Sequence, residues 1–217
     1  MAKEWAIETK TIQCGWEPKN GEPRVLPIYQ STTYKYDSAK EVAMLFDLEA
    51  AGHMYSRISN PTCEALETKI AALEGGVGAL VTSSGQNAST IAITNLCSSG
   101  DHFIAVGALY GGTVSLFTNT LKKMGIEVTL VDANLSLNEL KTYIKPNTKA
   151  IFGETIANPA LDILDFKKFS TLAKEADLPL IVDNTFATPY LCRPFELGAN
   201  ISLFILPRNT SMVMLSA

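Results

Sequence analysis

The sequence predicts a three-layer α/β domain on a mainly parallel sheet, and three observations predict it. From Pro61 onward, short apolar runs alternate with amphipathic helical stretches. Small or polar turn residues punctuate the alternation. One run, Leu180-Ile-Val-Asp183, ends in a carboxylate, at the strand end where α/β sheets hold their ligands.

The elements follow in chain order. Through the first fifty or so residues, Gly15, Pro18, Gly21, Pro23 and Pro27 interrupt any periodic pattern. Residues 1–58 therefore read as an extended arm with little core of its own, packed on a partner subunit. Glu64–Leu73 carries apolar residues at helical spacing, and Gly75-Gly76 stops it. Strand Ala79–Thr82 leads through the turn Ser83-Ser84-Gly85 into a helix from Asn87 to Leu96. Strand His102–Val106 is followed by a helix from about Thr113 to Met124. Strand Glu127–Val131, helix Leu137–Ile144, strand Lys149–Glu154, helix Phe166–Ala176 and strand Leu180–Asp183 complete the series. Strands joined by helices give right-handed crossovers and parallel pairing. Residues 59–203 form this domain, and no internal repeat is visible.

Composition narrows the function. A chain of 217 residues with 47% hydrophobic content buries a real core. A net charge of −4, with scattered Lys and Arg, argues against nucleic acid or an anionic membrane as partner. No apolar run reaches membrane-span length, and Met1-Ala-Lys-Glu4 lacks the start of a signal peptide. Cys14, Cys63, Cys97 and Cys192 form no CxxC pair, and His53 and His102 are too scattered for a zinc site. The expectation is a cytoplasmic protein with reduced thiols and no structural metal.

Four features converge on one ligand. Asp183, away from bulk water, needs a cation or a hydrogen bond; a protonated pyridinium nitrogen is one such partner, and a helix cap or surface Asp is the plainer reading. Ser83-Ser84-Gly85-Gln86 lies between a strand and a helix, so its amides and the helix dipole make a phosphate site, or else an ordinary turn. Tyr110, in Tyr110-Gly-Gly-Thr113, puts a ring at the same sheet edge, to stack on a planar ligand or simply to pack. Tyr55 and Arg57 offer a phenol and a guanidinium suited to a phosphate dianion. Together these describe a flat, phosphorylated cofactor whose ring nitrogen faces Asp183.

Tyr55-Ser-Arg-Ile-Ser-Asn-Pro-Thr62, Ser83-Ser-Gly85, Tyr110-Gly-Gly-Thr113, Glu154-Thr-Ile-Ala-Asn-Pro159 and Val182-Asp-Asn-Thr185, in that order, resemble the cysteine/methionine-metabolism (trans-sulfuration) enzymes that use pyridoxal 5'-phosphate (PLP). The resemblance runs from the arm to about Ala199. It implies the PLP-dependent transferase fold type I and a homotetramer, a dimer of dimers, acting on a small amino-acid substrate. It implies that Gly85 and Gln86 hold the phosphate, and that Tyr55 and Arg57 reach the phosphate of a neighbouring subunit. Tyr110 would stack on the pyridine ring and assist proton transfer. Asp183 would hold the pyridinium proton, and Asn158 would orient cofactor and substrate carboxylate. Gly112 resembles the glycine of sulfhydrylases and cystathionine synthases, where methionine γ-lyases of the best-known type carry cysteine. Cys192-Arg-Pro-Phe-Glu-Leu-Gly198 and Gly21-Glu-Pro-Arg-Val-Leu-Pro-Ile-Tyr29 are most similar to the sulfhydrylases acting on O-acetylhomoserine. The implied reaction is γ-replacement giving homocysteine or methionine, with methionine γ-lyase, cystathionine γ-synthase or lyase, or a non-catalytic product as alternatives.

The resemblance breaks after Ile201. The family continues with a His-Ser-Ala-Thr-Lys-like segment whose lysine forms the Schiff base with PLP. Here the chain reads Leu203-Phe-Ile-Leu-Pro-Arg-Asn-Thr-Ser-Met-Val-Met-Leu215. Codons for Phe204 to Leu215, read from each third base, accommodate His-Ser-Ala-Thr-Lys-Tyr-Ile-Asp-Gly-His-Ala. Residues 204–217 are therefore expected to be an out-of-frame tail on a truncated chain that lacks the small C-terminal domain. Arg208 falls near the lost lysine but stays protonated, and Lys167 and Lys174 sit on a solvated helix pattern. The expectation is a chain without activity of its own.

Overall fold

A computed structural model describes residues 5–206 and 210–215, the latter by their backbone. The chain divides into two compact units, Met1–Ile70 and Ala71–Ala217. The boundary lies inside helix α3 (Pro61–Glu74).

The first unit is less irregular than its Pro/Gly texture predicts. Helix α1 (Ile7–Gln13) and helix α2 (Ala39–Phe46) form within it. Ser38 caps α2, its hydroxyl accepting the Glu41 amide at 3.2 Å, a short-range signal that the scattered prolines mask. Asn60 ties the arm together: its Nδ2 donates to the Tyr29 carbonyl at 3.0 Å and its Oδ1 accepts the Thr62 amide at 2.9 Å. Among the described residues of this unit only Leu45, Ala65 and Ile70 are buried apolar side chains. That small core leaves Ile12, Val25, Ile28 and Leu48 exposed.

The second unit is the α/β domain. Strands β1 (Gly78–Thr82), β2 (His102–Val106), β3 (Glu127–Val131), β4 (Thr148–Glu154), β5 (Leu180–Asp183), β6 (Ile201–Leu206) and β7 (Thr210–Leu215) lie in the order β1-β7-β6-β5-β4-β2-β3. The pairs β2·β3, β2·β4, β4·β5 and β5·β6 are parallel. The β7 strand runs antiparallel between β1 and β6. The tail expected to be aberrant thus supplies a central strand, because any extended backbone satisfies the ladder bonds its neighbours offer. The lysine-like segment of the shifted frame falls at Pro207-Arg208-Asn209, outside the described residues.

Strand alternation builds the three layers. Phe103 and Ala105 of β2, Phe152 of β4 and Ile181 of β5 point to one face. They meet Ala88, Ala92 and Ile93 of helix α4 (Gly85–Leu96). Ile104 and Val106, Ile151, and Leu180 and Val182 point to the other face. They meet Leu140 of helix α6 (Leu137–Lys141) and Phe169, Leu172 and Ala173 of helix α7 (Phe166–Glu175). The predicted helix Thr113–Met124 is instead helix α5 (Gly111–Ser115) running into a π-helical stretch, Leu116–Leu121. That wider turn buries Leu116, Phe117 and Leu121 together. Helix α8 (Thr188–Leu191) and a 3₁₀ turn (Pro194–Leu197), neither predicted, lead from β5 to β6.

His102 fixes the N-terminal edge. It is fully buried, with Nδ1 2.8 Å from Thr148 Oγ1 and Nε2 2.8 Å from Thr129 Oγ1, so one ring nitrogen donates and the other accepts. Burial holds its pKa below 6.5, with the Lys145 charge acting the same way against Glu127. A depressed histidine stabilises the fold above its unfolded pKa and loses that contribution as pH falls through the folded value. Urea unfolding midpoints are expected to fall on acidification below pH 6.5. His102→Phe is expected to flatten that slope while costing on the order of 1–3 kcal/mol, since it strands the Thr129 hydroxyl and leaves Thr148 only the Lys145 amide.

Candidate active site

Strand order places the site. From β2 the chain passes outward to β3, then returns to β4 on the other side of β2. The carboxyl ends of β2 and β4 therefore flank a topological switch point, where open α/β sheets bind ligands. Tyr110 follows β2, Asn158 follows β4 and Asp183 ends β5.

These three residues line one cavity of about 260 Å³, with Glu154, Ile156, Thr185, Phe186 and Ile205. Asp183 is its buried charge. Thr185 donates twice to Asp183 Oδ1, from its amide at 3.0 Å and its hydroxyl at 2.5 Å. No described residue donates to Oδ2. Desolvation raises the Asp183 pKa, and the two Thr185 bonds only partly oppose it. A buried carboxyl with an idle oxygen favours a ligand that brings a cationic N–H.

Gly85 packs against Ile205, one wall of this cavity. A Cβ there would lie 2.1 Å from Ile205 Cδ1, so only glycine lets the start of α4 come this close. Ser84 caps the helix, accepting the Asn87 amide at 3.2 Å. The amides of Gly85 and Gln86 precede the first intrahelical acceptor and have no partner among the described residues. Gly112 brings Gln86 and Tyr110 together: a Cβ at Gly112 would lie 2.5 Å from Tyr110 Cε1 and 3.2 Å from Gln86 Nε2. The Tyr110 ring is half exposed. Tyr110, Asn158 and Asp183 thus share one cavity, with Gly85 against its Ile205 wall and the Gln86 side chain and the Tyr110 ring both beside Gly112. Tyr55 and Arg57 belong to the other unit, where the exposed guanidinium lies 5.0 Å from the Tyr55 ring centroid. Arg57 has no ion-pair partner among the described residues.

Glu154 is a site group that the sequence reading does not single out. Its Oε1 accepts the Tyr110 amide at 2.8 Å and its Oε2 accepts the Asn158 amide at 3.2 Å. One carboxyl group thereby joins the two loops that flank the switch point. The signal was present, since Ala150-Ile-Phe-Gly-Glu154 is a second apolar run ending in a carboxylate. Desolvation raises the Glu154 pKa to about 7 and the Asp183 charge adds to it, against the two amide bonds. A raised carboxyl stabilises the fold fully below its unfolded value of 4.5 and loses that contribution as pH rises through about 7. The loss is on the order of 3 kcal/mol, since each tenfold change in proton affinity is worth about 1.4 kcal/mol. Thermal unfolding followed across this range is expected to show the decline, and Glu154→Gln is expected to remove Glu154's share of it. Glu154→Gln strands one of the two amides, at about 1–3 kcal/mol.

The site fits pyridoxal phosphate on these observations. The idle oxygen of the Asp183 carboxyl group suits the ring nitrogen, and two amides at a helix start, without partners among the described residues, suit the phosphate. Comparison with known proteins agrees. The family model described as Cys/Met metabolism PLP-dependent enzyme matches residues 8–205. The chain is 48% identical over 201 residues to O-acetyl-L-homoserine sulfhydrylase of Corynebacterium glutamicum, covering 92% of this chain and 46% of that protein. It is 42% identical over 200 residues to L-methionine gamma-lyase of Fusobacterium nucleatum subsp. polymorphum, covering 92% and 50%. A crystal structure described as an O-acetylhomoserine (thiol)-lyase from Campylobacter jejuni, carrying N'-pyridoxyl-lysine-5'-monophosphate, superposes with a TM-score of 0.93 at 34% identity. That match covers 98% of this chain and 55% of the other. The chain spans about half the length of the curated relatives it matches.

Proposed function

We propose, for a chain that belongs to the Cys/Met metabolism PLP-dependent enzyme family, that it forms the cofactor-binding part of an enzyme replacing the γ-substituent of an O-acylated homoserine with a thiol or sulfide. The observation that carries this reading is Gly112. Tyr110 Cε1 and Gln86 Nε2 stand 2.5 and 3.2 Å from where its Cβ would lie, so a larger residue there would push the Tyr110 ring aside, and the resemblance is to sulfhydrylases, which carry glycine there. The similarity to sulfhydrylases supports it, and the similarity to a γ-lyase keeps elimination as the second reading.

Each residue has a task. Asp183 would accept the ring N–H through its idle Oδ2 and keep that nitrogen protonated, while Thr185 holds Oδ1. Gly85 and Gln86 would donate their amides to the phosphate at the positive end of α4. Tyr110 would stack on the ring, and its phenol would assist proton transfer. Asn158 would orient the cofactor and the substrate carboxylate. Ile156, Phe186 and Ile205 keep water from the cavity. When bound, the cofactor supplies the electron sink. Tyr55 and the unpaired Arg57 are assigned to the phosphate of a second copy of the chain.

Within the 217 residues no lysine follows Lys174, and the exposed Lys167 and Lys174 lie on α7 and do not line the cavity. The 217-residue polypeptide by itself is therefore expected to turn over neither O-acetylhomoserine with sulfide nor methionine. Losing a covalent nucleophile costs several orders of magnitude in rate. Homocysteine formation and α-keto acid release, assayed in parallel, test this. Borohydride is expected to fix no cofactor to the polypeptide. Turnover by the purified 217-residue form contradicts the proposal for this polypeptide. In the protein that carries a cofactor lysine, α-keto acid release exceeding homocysteine formation favours the lyase reading.

A further inference from the structure

We propose that the Glu74 carboxyl group positions Asp183, acting through the Asn184 side chain, and that the charge on Glu74 sets how firmly the turn that carries Asp183 is held. The inference takes its functional meaning from the cofactor reading of Asp183, but its geometry stands apart from that reading.

Glu74 ends α3 and is fully buried. Its Oε1 accepts Asn184 Nδ2 at 3.1 Å and Ser202 Oγ at 3.4 Å. Its Oε2 is buried with no hydrogen-bond partner among the described residues. The cation that acts on it, Arg193, makes its ion pair with Glu196 at 3.1 Å instead. Asn184 is pinned from every side. Its amide donates to the Leu203 carbonyl at 2.8 Å, its Oδ1 accepts the Thr155 hydroxyl at 2.9 Å, and its Nδ2 also donates to the Cys192 carbonyl at 2.8 Å. Neighbouring residues at a strand end point to opposite sides. Holding Asn184 on one side therefore fixes where Asp183 points on the other.

An uncharged acid tolerates an idle buried oxygen at modest cost, whereas a carboxylate there calls for water. Burial raises the Glu74 pKa to about 7, against the Asn184 and Ser202 bonds and the Arg193 charge. Charging Glu74 strengthens the Asn184 and Ser202 bonds to Oε1, because a carboxylate accepts more strongly than a neutral acid, and so holds Asn184 harder. The groups around Glu74 are Asn184, Ser202, Arg193 and Cys192, with Glu196 beyond Cys192; those around Asp183 are Thr185 and Glu154.

Carbon-13 NMR of the Asp183 carboxyl in the ligand-free 217-residue chain, followed against pH, tests the link. The unsubstituted chain is expected to show a step in the Asp183 signal that tracks the titration of Glu74. Glu74→Gln removes Glu74's share of the change, and Glu154→Gln leaves that share in place. Asn184→Ala cuts the link differently: Glu74 still titrates, but Asp183 no longer follows. An Asp183 titration curve left unchanged by Glu74→Gln overturns the proposal, the pH dependence then belonging to Asp183 itself and to repulsion by Glu154 across the cavity. A flat Asp183 signal in the unsubstituted chain overturns it as well. Adding PLP to the same samples separates the two readings. A Glu74-dependent step without PLP uptake supports the positioning and refutes only the cofactor assignment.

Discussion

Replacing Asp183 with asparagine is expected to weaken PLP binding by roughly tenfold to a hundredfold while leaving the fold intact. A hydrogen bond to a charged group contributes about 1.5–3 kcal/mol, and each 1.4 kcal/mol is about tenfold in affinity. Asparagine keeps an oxygen for the two Thr185 donors but loses the charge that matches a protonated ring nitrogen. Burial already disfavours the Asp183 charge in the free chain, so removing it relieves the apo fold. The two effects separate: affinity falls in a fluorescence titration with PLP, and the urea unfolding midpoint holds or rises. A fall in both together would mean that Asp183 is a structural residue.

Phe117→Ala is expected to cost about 3–5 kcal/mol of stability, the range for deleting a buried phenylalanine. Phe117 has no exposed surface. Its ring stands edge-on to Phe103 and to Phe152, with centroids 4.9 Å away in both cases. Those partners lie on β2 and β4, the strands that flank the switch point. The cavity left behind therefore loosens the pair of strands from which Tyr110 and Asn158 extend. Equilibrium urea unfolding measures the loss. A cost near that of an exposed residue, within about 0.5 kcal/mol, would contradict this packing.

Much of this site is legible in the sequence because its signals are local. Asp183 closes an apolar run, and Gly85 opens a helix after a strand; neither needs a distant partner to be noticed. Glu74 is not legible. It sits before Gly75-Gly76 like any helix-end carboxylate, and its role depends on Asn184, 110 positions away. The π-helical turn at Leu116–Leu121 escapes for a related reason, since side-chain periodicity does not distinguish a widened turn from a regular one. The β7 strand escapes because its sequence matches no expected segment, and its place is set by the open ladder between β1 and β6. The helices of the first unit are hidden by the prolines and glycines that dominate its texture, although the Ser38 cap of α2 is there to be read.

The central claim is that one cavity holds the ring nitrogen at Asp183 and the phosphate at the start of α4. Crystals of the chain grown with PLP test it most directly. The account predicts the pyridine nitrogen about 3 Å from an Asp183 carboxylate oxygen and the phosphate oxygens at similar distance from the Gly85 and Gln86 amides. PLP bound with its ring nitrogen away from Asp183, or its phosphate anywhere but the start of α4, would contradict it.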